Sequence, residues 1–257
     1  MRSIWNGSVS FGLVSIPIKL FSGSEERALD LDMLDSHDHE RIRYKRVNEK
    51  TGEEVEWKDI VKGYKKDDGY VILEKEDFEN ANMKKSKTID IEQFIEEAEV
   101  ADVLFKKPYF IKPQKGGEKS YSLLRKALKE TKKLGVATFV MRQKEHLSLI
   151  GVYEDALVLH VIRFEEEIRD TGELELPQEK IGKKELEMAI SLIDQYTEAF
   201  DFGKFEDVYN EQLLKIIESK ASGQLPKPEK FESEPTPAKD LMAQLKASLE
   251  KRKKTAS

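Results

Sequence analysis

The 257-residue chain contains no cysteine. That excludes a disulfide framework, thiolate metal ligands and a cysteine nucleophile, and it fits a reducing compartment. Long apolar runs are missing too: a membrane helix needs ~20 consecutive apolar residues. The most apolar stretch, MRSIWNGSVSFGLVSIPIKLF at the N-terminus, is broken by Asn6, Gly7, Ser8, Ser10, Gly12, Ser15, Pro17 and Lys19. An excess of positive charge is also absent, since 44 Lys and Arg face 50 Asp and Glu for a net charge of −6. No global field therefore draws the chain to nucleic acid or to an anionic membrane. Lys115-Gly116-Gly117 is a short glycine turn without the Gly-x-x-x-x-Gly-Lys-Ser/Thr spacing that cradles phosphates, and there is no dinucleotide fingerprint or serine elbow. These absences lead us to expect a cytoplasmic protein with no membrane segment, no cofactor and no catalytic site.

What the chain has is mixed charge, 37% of its residues, and two different hydrophobic periods. In the first two-thirds the period is two. Val9, Phe11 and Leu13 alternate with small polar residues, and after a phase break the alternation restarts at Ile16, Ile18 and Leu20. Pro17 marks this stretch as an edge strand or a bulge. Further strands are predicted at 42–47, 70–73, 109–111, 137–141, 147–153 and 156–164, the last two forming a hairpin about Glu154-Asp155. Many short strands with little helix between them favour an antiparallel barrel or sandwich. Short helices are predicted at 91–99 and 120–134, the second with a stripe of Leu123, Leu124, Ala127 and Leu128 and a stop at Gly135.

After Pro177 the period becomes helical. Leu186, Ala189, Ile190, Ile193, Tyr196 and Phe200 recur at three-to-four spacing, as do Phe205, Val208, Tyr209, Leu213, Ile216 and Ile217. With Asp201-Phe202-Gly203 as the turn, this reads as a helical hairpin with a buried stripe. Proline then appears in a burst: Pro226, Pro228, Pro235 and Pro237 are four of the chain's eight, and they mark an extended linker. Beyond them Leu241, Leu245 and Leu249 fall at i, i+4 and i+8 before the basic tip Lys251-Arg252-Lys253-Lys254. A helix that short is marginal in isolation, so its stripe is expected to dock on a partner.

The segment DSHDHE holds His37 and His39 among acids that could ligate a hard metal, but no second cluster accompanies it. A solvated acidic loop is the better reading. His146 and His160 lie in or beside predicted strands and read as structural. Positive charge is clustered in one place. Arg41, Arg43, Lys45, Arg46, Lys50, Lys58, Lys62, Lys65 and Lys66 stand against Glu49, Glu53, Glu54, Glu56 and Asp59. On a strand over 42–47, Arg41, Arg43 and Lys45 would share one face at roughly 6–7 Å intervals. Charge alone leaves two readings open: a solvated face balanced by its acids, or a row offered to a polyanion.

The order of segments carries a resemblance. RSIWNGSVSFGLVSIPIKLF, HERIRYKRVN with EEVEWKDIVKGY, TIDIEQFI, PYFIKP, SYSLLRKALKETKKLGVATFVMR and VLHVIRFEEEIRD resemble the bacterial Ku family from about residue 2 to about residue 220. The block Ile-Trp-x-Gly-Ser-x-Ser-Phe-Gly-Leu-Val is its most specific part. The resemblance implies a mainly β fold with α, a Ku-type β-barrel core over 1–180 with a DNA-encircling bridge at about 30–75. A helical hairpin at 181–222 would pack on a homodimer, and 223–237 would link to a C-terminal helix and basic tip at 238–257. It implies a non-enzymatic, nucleoid-associated ring that threads onto double-stranded DNA ends without sequence preference in non-homologous end joining. AKDLMAQLKASLEKRKK is similar to the segment through which relatives recruit an ATP-dependent DNA ligase. Where some relatives carry Cys-x-x-Cys, this chain has VNEKTGEEV, so no metal is implied there. The resemblance brings Arg41, Arg43, Lys45, Arg46, Lys58, Lys62, Lys65 and Lys66 forward as phosphate contacts. It likewise marks Leu241, Met242, Leu245 and Leu249 as the ligase-binding stripe. The rival reading is a protein-binding barrel scaffold whose bridge charges serve solubility.

Overall fold

The phase break between the first two apolar runs is a tight turn. Strand β1 (Trp5–Phe11) and strand β2 (Val14–Ser22) pair antiparallel across Gly12-Leu13, with Gly12 at φ +57°. Glycine at the first central position is what such a two-residue hairpin demands. Next come β3 (Lys62–Lys66), β4 (Gly69–Leu73), α1 (Lys75–Ala81), β5 (Thr88–Glu96) and β6 (Phe105–Pro113). The chain continues as α2 (Glu118–Thr131), β7 (Lys133–Met141), β8 (Lys144–Tyr153), β9 (Ala156–Ile162), α3 (Lys183–Tyr196) and α4 (Val208–Ala221). The computed structural model describes residues 1–25, 27, 29–81, 87–142, 144–223 and Leu245. The chain divides into two units, Met1–Asp170 and Thr171–Ser257.

Seven strands close into a barrel in the order β1-β2-β6-β9-β8-β7-β5, with the parallel contact of β1 and β5 as the seam. Closure removes sheet edges, so β2 is no edge strand. Pro17 is tolerated because its β1 neighbour is Ser8 and its β6-side pairing begins one residue later, at Ile18↔Pro113. Its carbonyl still accepts from the Gln114 N–H at 2.8 Å. The alternation seen in sequence now has its cause: Val9, Ile16, Ile18, Leu20, Ile89, Ile111, Ala137, Phe139, Leu157 and Leu159 are buried in one cluster. Each such aliphatic side chain contributes about 1.5–3 kcal/mol on burial. In the N-terminal motif, the Trp5 indole N–H donates to the Val140 carbonyl at 3.1 Å, and its ring meets Phe139 edge-on. A Cβ at Gly7 would stand 2.3 Å from that ring and 2.1 Å from the Lys87 carbonyl oxygen, so only glycine fits.

Two expected helices are revised. Residues 91–99 are not an α-helix: 91–96 belong to β5, which pairs with both β1 and β7, and a single 3₁₀ turn, Glu97–Glu99, follows. A register shift between Ile91 and Gln93 changes the apolar phase and spaces Ile91, Phe94 and Ile95 as a helix would. Helix α2 stops at Thr131, where Lys132 takes the left-handed conformation at φ +54°, and Gly135 lies inside β7. Its buried stripe is Tyr121, Leu124 and Leu128, while Leu123 faces solvent at 64% exposure. The Tyr121 hydroxyl donates to the Ile111 carbonyl (2.9 Å) and accepts from the Leu157 N–H (2.8 Å), tying α2 to β6 and β9. Two buried backbone groups depend on that one oxygen, and each left unpaired costs about 1–3 kcal/mol.

The second unit has α3 and α4 near the expected places, but Phe200 and Phe205 lie outside both helices. The expected buried stripe is uncovered. Leu186, Ile190, Ile193 and Tyr196 are 48–64% exposed, and neither helix has a buried residue. Two helices of 14 residues are too few to sequester an apolar face on their own. Among the described residues no helix is long and apolar enough to cross a membrane. Leu241, Met242 and Leu249 lie outside the described residues, as do the linker from 224 and the basic tip; Leu245 is helical and partly buried.

Candidate nucleic-acid interface

Between β2 and β5 the chain leaves the barrel as an arm, which carries all eight cations singled out from the sequence. From residue 30 to residue 72 no side chain is buried, and Val55 alone is even partly covered. The arm opens with small loops. The 42–47 stretch is not a strand: Val47 makes an isolated bridge to Glu54, and Arg41, just before the stretch, one to Leu34. Its alternation had the pattern of a strand but lacks a ladder partner, so no ladder holds Arg41, Arg43 and Lys45 in a regular row. The acidic loop before it is held by Asp35, which accepts from the backbone N–H of His37 and from the ring Nδ1, each at 2.9 Å. Those bonds hold the Asp35 carboxyl below the usual carboxylate range, the backbone N–H contributing most. Among the described residues no group of metal-ligating side chains is assembled there.

The one regular element that displays the arm's cations is the ribbon β3-β4. Pairing Lys62↔Leu73, Tyr64↔Val71 and Lys66↔Gly69 puts Lys62, Tyr64 and Lys66 on one face. Lys65 opposes Tyr70 and therefore sits on the other face. Lys62 and Lys66 span roughly 13 Å along the strand. A flat ligand on either face meets two lysines or one, never all three.

Local partners separate the eight cations further. Arg41 pairs with Asp32, Lys45 with Glu54 and Lys58 with Glu56, the last two at 2.7 Å. The bond to Glu54 raises the Lys45 pKa. The Arg46 guanidinium lies 4.5 Å above the Trp57 ring, and the Lys62 ammonium 4.8 Å from the Phe78 ring. Among the described residues Arg43, Lys65 and Lys66 make no ion pair. Exposed pairs of this kind are worth about 0–1 kcal/mol, so they hold the arm's loops in shape weakly and can be exchanged for a stronger anion.

The arm also exposes apolar surface on a scale the sequence reading missed. Leu31 (64%), Tyr44 (81%), Trp57 (73%), Val61 (62%), Tyr64 (67%) and Tyr70 (69%) all face solvent. An isolated two-stranded ribbon is marginally stable in water. A long arm with no core and this much aromatic surface needs a surface to lie against.

The comparisons settle which family this is. A family model described as Ku70/Ku80 beta-barrel domain matches residues 10–188. The Non-homologous end joining protein Ku of Archaeoglobus fulgidus is 41% identical, covering 97% of this chain and 99% of that protein. The proteins of the same name from Opitutus terrae and Coxiella burnetii are 40% and 38% identical, covering 97% and 99% of this chain and 91% and 96% of theirs. The chain belongs to the Ku family. The closed seven-stranded barrel is thus the Ku β-barrel, and the matched span also contains the whole arm. In this Ku chain the arm's loops are built on Asp-, Asn- and glycine-directed turns, including Asn48, whose side chain accepts from the Lys50 and Thr51 N–H groups, and Gly52 at φ +73°.

Proposed function

We propose that this Ku chain binds double-stranded DNA ends as a homodimeric ring in non-homologous end joining, without sequence preference and without catalysis of its own. The observation that carries the reading is the arm: 43 consecutive residues, 30–72, with no buried side chain, cations on a two-stranded ribbon, and exposed aromatics. Cations and aromatics have different tasks in this reading. Lysine and arginine neutralise phosphates, which positions a duplex without reading its bases. The apolar surface of the arm and of α3 and α4 is covered by the second copy, in an interface of the obligate, largely apolar kind. The names of the relatives support the assignment to end joining.

A closed ring can reach a duplex only over a free end. In a mobility shift at equal mass, a blunt linear fragment is expected to be bound at least tenfold more tightly than a relaxed closed circle. Equal affinity for the two removes threading from the account, and binding to neither favours the scaffold reading.

Recruitment of an ATP-dependent ligase is assigned to the stripe of Leu241, Met242, Leu245 and Leu249, docking as a helix in a groove. Leu245→Asp with Leu249→Asp is expected to abolish stimulation of the ligase and leave end binding unchanged. Loss of end binding in the same variant contradicts that division of labour.

A further inference from the structure

Among the described residues outside the arm, positive charge is clustered on and around α2. Residues 115–133 hold seven Lys and Arg against two acids, Glu118 and Glu130. The helix buries Tyr121, Leu124 and Leu128 on its barrel side and exposes Lys119, Lys126 and Lys129 on the other. At i, i+7 and i+10 these three fall along one stripe, with Ser122 and the exposed Leu123 between the first two and Glu130 one turn beyond Lys126. The stripe is about 15 Å long at 1.5 Å per residue.

In the arm some cations are compensated and some are not; in this row none is paired with a carboxylate. Arg41, Lys45 and Lys58 each face a carboxylate of their own. Among the described residues Lys119, Lys126 and Lys129 make no ion pair. Glu118 is occupied, accepting from the Gly116 N–H at 2.9 Å. Arg125 is turned away, donating to the Asp155 carbonyl at the β8-β9 turn. Acids return at the row's C-terminal end: Lys133 pairs with Glu96 at 3.0 Å, and Glu97 and Glu154 line a recess together with Lys129 and Lys132. Unlike the arm, the row stands on an element anchored in the core, so its lysines need no ordering of backbone to act together. One apolar side chain, Leu123, is exposed beside the row, far short of the clustered anchors on which a protein interface is built. Repeated unpaired charge with so little apolar surface suits a phosphodiester backbone.

We propose that this face of α2 is a second duplex-binding surface, separate from the arm, which grips DNA by its phosphates and needs no free end. It would hold a second duplex, one that is not threaded through the ring. The inference goes beyond the end-binding reading and can fail without it.

The test compares the unaltered full-length protein with a triple variant, Lys119→Glu, Lys126→Glu and Lys129→Glu, on a relaxed closed circle at low salt. Affinity for the circle should fall at least tenfold, and the salt slope should shrink by about 2.7, at 0.9 per phosphate for three contacts. Affinity for a short blunt fragment should change less than threefold. The corresponding Lys→Gln variant, which removes charge without adding repulsion, should show the same order of effects and guards against a folding defect. Failure of the unaltered protein to bind the circle, or unchanged circle binding in both variants, overturns the proposal. So does an equal loss for circle and fragment, since the row would then belong to the ring's own grip. A missing preference of the unaltered protein for ends would count against threading and leave the α2 result to stand by itself.

Discussion

Reversing Arg43 and Lys66 to glutamate is expected to lower affinity for a blunt duplex end on the order of 10³ at 0.1 M salt. The estimate follows from counting. Neither side chain has an ion pair among the described residues, and Lys66 shares its ribbon face with Lys62. In the proposed ring, two cations from each of two copies would make four phosphate contacts, and losing them at 0.9 per contact should flatten the salt dependence by about 3.6 in logarithmic slope. Lys65 lies on the opposite face of the ribbon, and Lys65→Glu should cost less than threefold. The exchange Lys45→Glu with Glu54→Lys keeps the 2.7 Å pair and should be close to neutral. Titrations of a labelled end at several salt concentrations check all four. Equal effects from Lys65 and Lys66 would contradict one-sided recognition by the ribbon.

The second large effect concerns assembly. Ile190 and Ile193 on α3 are 48% and 64% exposed, in a stripe whose spacing is that of a buried helix face. Contiguous apolar surface of this kind marks an interface in a stable protein. Ile190→Asp with Ile193→Asp should convert a dimer into a monomer at micromolar concentration, as read by light scattering. The barrel should stay folded at ambient temperature, as read by circular dichroism, because its core is built of Met1–Asp170 residues alone. End binding should then fall at least a hundredfold, since half a ring encloses nothing. A monomer that binds ends with undiminished affinity would show that one protomer suffices.

The barrel was legible in the sequence because its strands obey period two and bury one face. The alternation at 9–20, the Glu154-Asp155 hairpin and the 137–141 strand all follow from that single constraint. Where a local irregularity broke the period, the reading failed. The shift between Ile91 and Gln93 in β5 gave a strand the spacing of a helix. Conversely, 42–47 had the right alternation and no strand to pair with. The eight arm cations could be found by composition, but not sorted. Which of them a carboxylate neutralises, and which face of β3 each occupies, depends on loop closures such as Arg41 to Asp32 and on the register Lys65↔Tyr70. The uncovered helical stripe is the most instructive case. Sequence periodicity marked Leu186, Ile190 and Ile193 as one apolar face of a helix, and in the structure that face is uncovered.

The account stands on enclosure of the duplex, and a topological trap measures that directly. Protein is loaded on a linear duplex, the ends are then ligated into a circle, and the complex is washed in high salt, which strips charge-held protein. Protein retained on the circle and released by a single restriction cut is the predicted result. Protein that washes off the circle as readily as off the open linear form would contradict it.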